Sequence, residues 1–142
     1  MTLLDGFKER ARKKLNEAEE YFNHLNYPES ISASQECMEL SAKAAFLLTA
    51  EKYPRRHEFK DEEIGSILEK IPEGAKHINF LKLFMEYDFW RTRYTLAKYG
   101  NEKLNASPKE FFDKQDAELA KQRAHEWYIA LQTLDYVNRE KS

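Results

Sequence analysis

The run from Ser34 to Phe46, SQECMELSAKAAF, is helix-forming and carries charge only at Glu36, Glu39 and Lys43. At about 100° of rotation per residue these three fall on one narrow face, with Glu36 at about 0°, Glu39 at about 300° and Lys43 at about 340°. Ala33, Cys37, Leu40, Ala44, Leu47 and Leu48 lie on one flank of that face, and Ile31, Met38, Ala42, Ala45 and Phe46 on the other. A helix on the surface of a lone monomer needs one apolar stripe. Two stripes separated by an ionic seam predict a helix covered on two sides, and the seam itself is a candidate site.

The rest of the chain supplies the cover. Leu4, Phe7, Ala11, Leu15, Ala18, Phe22 and Leu25 recur at three- and four-residue steps, predicting a first helix from about Leu3 to His24. NYPES ends it, Pro28 suits the first turn of the second helix, and that helix continues to about Glu51 before Pro54. The segment YPRRHEFKDEEIGSILEKIPEG reads as a connection holding one short helix, with Asp61 as cap and Pro72 and Gly74 as stop. Periodicity resumes from about Ala75 to Tyr99, where Gly100 fits a left-handed terminal position. Ser107 to Glu110, SPKE, is a capping box with proline at the first helical position, opening a last helix to about Asn138. Only four glycines and four prolines punctuate the 142 residues. The expectation is an all-α protein, an antiparallel four-helix bundle with an additional short helix, in one domain over residues 1–142.

Composition narrows the function. A formal net charge of -2 argues against coating nucleic acid by bulk charge. The cluster of Lys8, Arg10, Arg12, Lys13 and Lys14 is diluted by Glu9, Glu17, Glu19 and Glu20 and is not read as a nucleic-acid footprint. The run of Lys52, Arg55, Arg56 and Lys60 reads as solvated surface. The single cysteine, Cys37, excludes an intrachain disulfide and reads as a small buried side chain. MTLLDGFKERARKK has too short an apolar run for a secretory signal, and no stretch reaches the roughly 20 apolar residues of a membrane span. The expected setting is therefore cytoplasmic, with no membrane partner.

Among the motifs of chemistry, HINFLKLFMEYDFWRTRYTLAKYG places Phe80, Leu83, Phe84, Tyr87, Trp90 and Tyr94 in one broad sector that includes Arg91, while Arg93 falls with Lys82 and Glu86. Arg91 is thus expected to be the partly buried arginine of the two, paired with Glu36, Glu39 or Asp88. An arginine fork among aromatic rings fits phosphate and base recognition, or a tie between helices. Glu36 and Glu39 could face a bundle interior, but none of His24, His57, His77 and His125 follows a glutamate at the Glu-x-x-His spacing of di-iron bundles, so no metal or cofactor is expected. There is no glycine-flanked serine elbow and no glycine-rich phosphate loop. His57, in PRRHEF, reads as a packing residue or one at a helix start, and the other histidines as surface.

The tract KLNEAEEYFNHLNYPESISASQECMELSAKAAFLL, the HEF around His57 and the late RTRYTLAKYG occur in the order that resembles the HEPN domain family. The resemblance spans most of the chain. It implies a helical bundle that commonly dimerises, with polar groups of the second and fourth long helices near a shared cleft. It also implies a setting beside a small nucleotidyltransferase in two-component or toxin-antitoxin-like systems, or metal-independent RNA cleavage. The ribonuclease branch is similar in having an arginine, then four to six intervening residues, then a histidine in the late helix. Here those positions hold Leu96, Ala97 and Lys98 after Arg91, and Lys98, Tyr99 and Gly100 after Arg93, so the usual general acid or base is missing.

The resulting expectation is a homodimeric binding protein rather than an enzyme, taking a nucleotide, RNA or a nucleotidyltransferase partner through Glu36, Glu39, Lys43, Arg91, Arg93 and Tyr94. Arg91 and Lys43 would meet phosphate, Tyr94 would pack a base or the partner, and the glutamates would orient the cations. Two alternatives stand beside it. One is a degenerate ribonuclease toxin using Tyr94, Tyr99 or His57; the other is a structural interaction protein whose seam only fixes helix register.

Overall fold

A computed structural model describes residues 2–140. Among the described residues six α-helices follow one another: α1 Leu3–Asn23, α2 Tyr27–Ala50, α3 Asp61–Lys70, α4 Phe80–Arg91, α5 Tyr94–Tyr99 and α6 Lys114–Glu140. Short 3-10 turns at Glu73–Ala75 and Pro108–Glu110 complete the regular structure. The expected all-α bundle is what the chain adopts, with one difference in plan: the helix expected from about Ala75 to Tyr99 is split between α4 and α5.

The central helix is α2, packed lengthwise against α1 and α6 and touched also by α3, α4 and α5. Its two apolar flanks are buried as far as Phe46, with Leu47 and Leu48 half-buried, and small residues on the facing surfaces let the backbones approach closely. Ala11 and Ala18 of α1 and Ala117, Ala120 and Ala124 of α6 are fully buried. Polar ties cross the same contacts. The Ser30 hydroxyl donates to the Ala18 carbonyl at 2.8 Å, and the Cys37 thiol lies 3.8 Å from the Ala124 carbonyl. Cys37 is fully buried, and that burial pushes its thiol up to about 12, so it is a packing residue and not a nucleophile.

Several ends follow the sequence closely. α1 is opened by reciprocal bonds between Thr2 and Asp5 and closed by Leu25, whose φ of 64° lets Asn26 N–H reach the Tyr21 carbonyl. Pro28 sits in the first turn of α2. Other ends differ. Lys60, not Asp61, is the residue before α3, because the Glu63 carboxylate accepts the Lys60 N–H at 2.8 Å. α4 starts at Phe80, where the Asn79 side chain accepts the Lys82 N–H, not at Ala75. The box at Ser107 and Glu110 forms but governs only a 3-10 turn. α6 is opened instead by Asp113 and Asp116, which bond each other's backbone N–H groups at 3.1 and 3.0 Å.

The break between α4 and α5 has a local cause. Thr92 Oγ1 and the Arg93 guanidinium both donate to the Phe89 carbonyl, at 2.8 and 2.7 Å, while Arg93 N–H turns to the Trp90 carbonyl. Side chains that take an i-4 carbonyl from the backbone bend or end a helix. Among the described residues no helix is long and apolar enough to cross a membrane.

Candidate functional site

Where α2 passes under α4, its seam is answered by the connection between α2 and α3. Glu39 and Lys43 form an ion pair at 2.9 Å with side chains 14% and 9% exposed. His57 reaches the same carboxylate through Nδ1, at 2.8 and 2.9 Å to its two oxygens. Tyr87 completes the cluster from α4, its hydroxyl donating to the His57 carbonyl and standing 3.4 Å from Glu39. Burial by itself would raise the Glu39 carboxyl, but Lys43 and His57 beside it hold it below its ordinary value. The Tyr87 phenol is driven far up, first by burial and then by the Glu39 charge, so it acts as a fixed donor.

One turn earlier on α2, Glu36 takes part in a second cluster. It accepts from the Tyr94 hydroxyl at 2.8 Å and pairs with Lys14 of α1 at 3.0 Å. Lys98 donates to the Tyr94 oxygen at 2.8 Å. Burial raises the Tyr94 phenol, which keeps its proton at neutral pH.

Between the two clusters opens a cleft of about 570 Å³. α1 contributes Arg10 and Lys14, α2 contributes Glu36 and Glu39, and His57, Arg91 and Tyr94 close the far side. Four of the six residues expected at the site, Glu36, Glu39, Arg91 and Tyr94, thus share one cavity. Lys43 does not line it; its ammonium lies behind Glu39, also within 3.5 Å of the Arg55 carbonyl. Arg93 is also outside, its guanidinium stacked 3.5 Å from the centre of the Phe89 ring. The expected contrast between the two arginines does not hold, since both are half-buried. Arg91 finds its acceptor in Asp88 on its own helix, at 2.7 Å, and not in either seam glutamate.

Arg10 and Lys14 escaped the sequence reading, and His57 entered it only as a packing or helix-start residue and in the alternative ribonuclease. His57 is not a packing residue: its side chain is 79% exposed, held at Nδ1 with the rest of the ring open to the cleft. Arg10 and Lys14, set aside in a diluted basic cluster, share one face of α1 because they are four residues apart. That spacing was the available signal. Among the described residues Arg10 has no carboxylate within ion-pair distance.

Chemically, the cleft offers guanidinium and ammonium groups from α1 and α4, an oriented imidazole, and a tyrosine beside them. Among the described residues no three His, Cys, Asp or Glu side chains converge as metal ligands would. Compared with known proteins, residues 5–132 match the family model of the HEPN domain. No curated protein and no solved structure gave a significant match.

Proposed function

The chain belongs to the HEPN family, and from that premise we propose that it binds a nucleotide or RNA through the cleft between α1, α2 and α4. The observation that carries this reading is Arg10, a guanidinium facing a shared cavity with no carboxylate within ion-pair distance among the described residues. A charged group in that setting gains from an incoming phosphate without first losing a partner. Lys14 and Arg91 add charge, Tyr94 offers a ring for a base, and Glu36 and Glu39 set the cations around them. Lys43 acts from behind by fixing Glu39, and Arg93 lies outside the contact. Titration of nucleotides and short RNAs against the wild type, Arg10→Ala and Arg91→Ala is the test. Loss of one charged hydrogen bond, about 1.5 kcal/mol or more, weakens binding about tenfold; equal affinity in all three proteins rejects the assignment.

A second reading is supported by the pair of His57 and Glu39. A carboxylate on Nδ1 fixes the imidazole tautomer and leaves Nε2 free to accept a proton, the arrangement a general base needs. The reading is metal-independent RNA cleavage: His57 takes the proton of a ribose 2′-hydroxyl, that oxygen bonds to the adjacent phosphorus, and the 5′-oxygen leaves with a proton from water. RNA left intact by pure protein, with no growth arrest on expression, sinks it.

The partner side of the proposal is a homodimer, or a complex with a nucleotidyltransferase. It rests on the family and on an exposed apolar ridge of α4, where Leu81, Met85 and Phe89 recur at four-residue steps. Sedimentation of the pure chain and copurification with a neighbouring nucleotidyltransferase test the two forms separately.

A further inference from the structure

The cleft does not end at Glu36. A second cavity continues along α2 towards its N-terminus, sharing Lys14 and Glu36 with the first. Its α1 wall extends the same helix face, so that Arg10, Lys14, Glu17 and Tyr21 form one line, and its far wall carries Lys98 and Lys109. Arg10 to Tyr21 is eleven residues, about 16 Å at 1.5 Å per residue. That is longer than one nucleotide.

Each cavity carries a cation without a carboxylate within ion-pair distance among the described residues: Lys109, beyond α5, in the second and Arg10 in the first. Lys14 is the shared cation between them, and it already spans Glu17 and Glu36 at 2.9 and 3.0 Å. Tyr94 stands at the junction, bonded to Glu36 and Lys98, and Tyr21 lines the distal part. Five cations, Arg10, Lys14, Arg91, Lys98 and Lys109, against four carboxylates, Glu17, Glu29, Glu36 and Glu39, line the two cavities with Tyr94 and Tyr21 beside them. Cations along a groove with rings beside them suit a single strand: phosphates follow the charge and bases lie on the rings.

We propose that the two cavities form one groove that binds single-stranded nucleic acid, with Arg10 in its first part and Lys109 in its second. At the stacked rise of about 3.4 Å per nucleotide it holds up to about five nucleotides, fewer if the strand is extended. This rests on the cleft being a nucleotide site and adds to it a length requirement and a distal subsite at Lys98 and Lys109.

The test is fluorescence anisotropy with a labelled octanucleotide, as RNA and as DNA, beside the same sequence as a blunt duplex and adenosine monophosphate as competitor. The wild type is expected to bind the single-stranded octamer at least about tenfold more tightly than the mononucleotide, and more tightly than the duplex. Lys109→Ala and Lys98→Ala should each weaken the octamer about three- to tenfold, with a smaller loss for the mononucleotide. Each should also make the slope of log affinity against log salt shallower by about 0.7, the value for one phosphate contact on a single strand. A preference for the RNA or the DNA octamer names which of the two is bound. An octamer held no better than the mononucleotide, no better than the duplex, or equally by the wild type and both variants overturns the groove while leaving the cleft reading intact. Failure of the wild type to bind either the octamer or the mononucleotide overturns both.

Discussion

Glu39 has three groups on one carboxylate: the Lys43 ammonium, the His57 imidazole and the Tyr87 hydroxyl. Removing its charge leaves Lys43 nearly buried without its anion, so Glu39→Gln is expected to cost about 2 kcal/mol at pH 7, measured by urea unfolding. The pH dependence has a defined sign. Because the folded carboxyl lies below its ordinary value of 4.5, its stabilisation is present above that value and is lost as the pH falls through the folded one. The stability difference between wild type and Glu39→Gln should therefore shrink on acidification below about pH 4.5. A difference that stays constant down to pH 3 contradicts the pairing. Helical periodicity marked Glu39 because Glu36, Glu39 and Lys43 fall on one face. It said nothing of His57, whose approach depends on the path of an irregular connection eighteen residues on.

At the level of elements, the break at Thr92 decides what the two arginines do. Arg91 holds an exposed Asp88 on its own helix, an interaction worth about 0 to 1 kcal/mol. Arg93 covers the Phe89 ring and takes its carbonyl, contacts that define the turn into α5. Arg93→Ala should then lower the melting temperature at least as much as Arg91→Ala, the reverse of the order expected from one unbroken helix; a clearly larger loss for Arg91→Ala counts against this account. α5 ends at Gly100, where φ is 76° with ψ -159°, and a Cβ there would lie 2.3 Å from the Ala106 carbonyl oxygen. That carbonyl accepts the Asn101 N–H at 2.9 Å, so it has little freedom to retreat. Gly100→Ala is expected to destabilise by about 1 to 3 kcal/mol, read as a lower denaturation midpoint, and an unchanged midpoint would show that the 100–106 turn is easily rearranged. The glycine was legible as a helix stop, but the carbonyl against it was not.

Across the whole molecule, α2 is packed along its length by α1 and α6 and leaves its seam open to the cleft, and α4 is fastened to α6 through Trp127. Trp127 is fully buried, packs edge-on against Phe84 at 5.0 Å and donates its indole N–H to the Leu83 carbonyl at 2.9 Å. Trp127→Ala is expected to cost about 3 to 5 kcal/mol, and because α4 carries Tyr87 and Arg91 it should also loosen the cleft, seen as faster amide exchange in α4. Exchange that rises equally in α1 would instead indicate general loosening. The sequence by itself determined the all-α class, the central place of α2 and the face bearing its seam, because helical periodicity and two apolar flanks are local properties of consecutive residues. Only the tertiary structure decided which groups meet that seam. Arg10 and Lys14 from α1, His57 from a connection and Tyr94 past a helix break converge because rigid helices pack in three dimensions. Their mutual distances depend on crossing geometry and loop path, which leave no periodic mark in the chain.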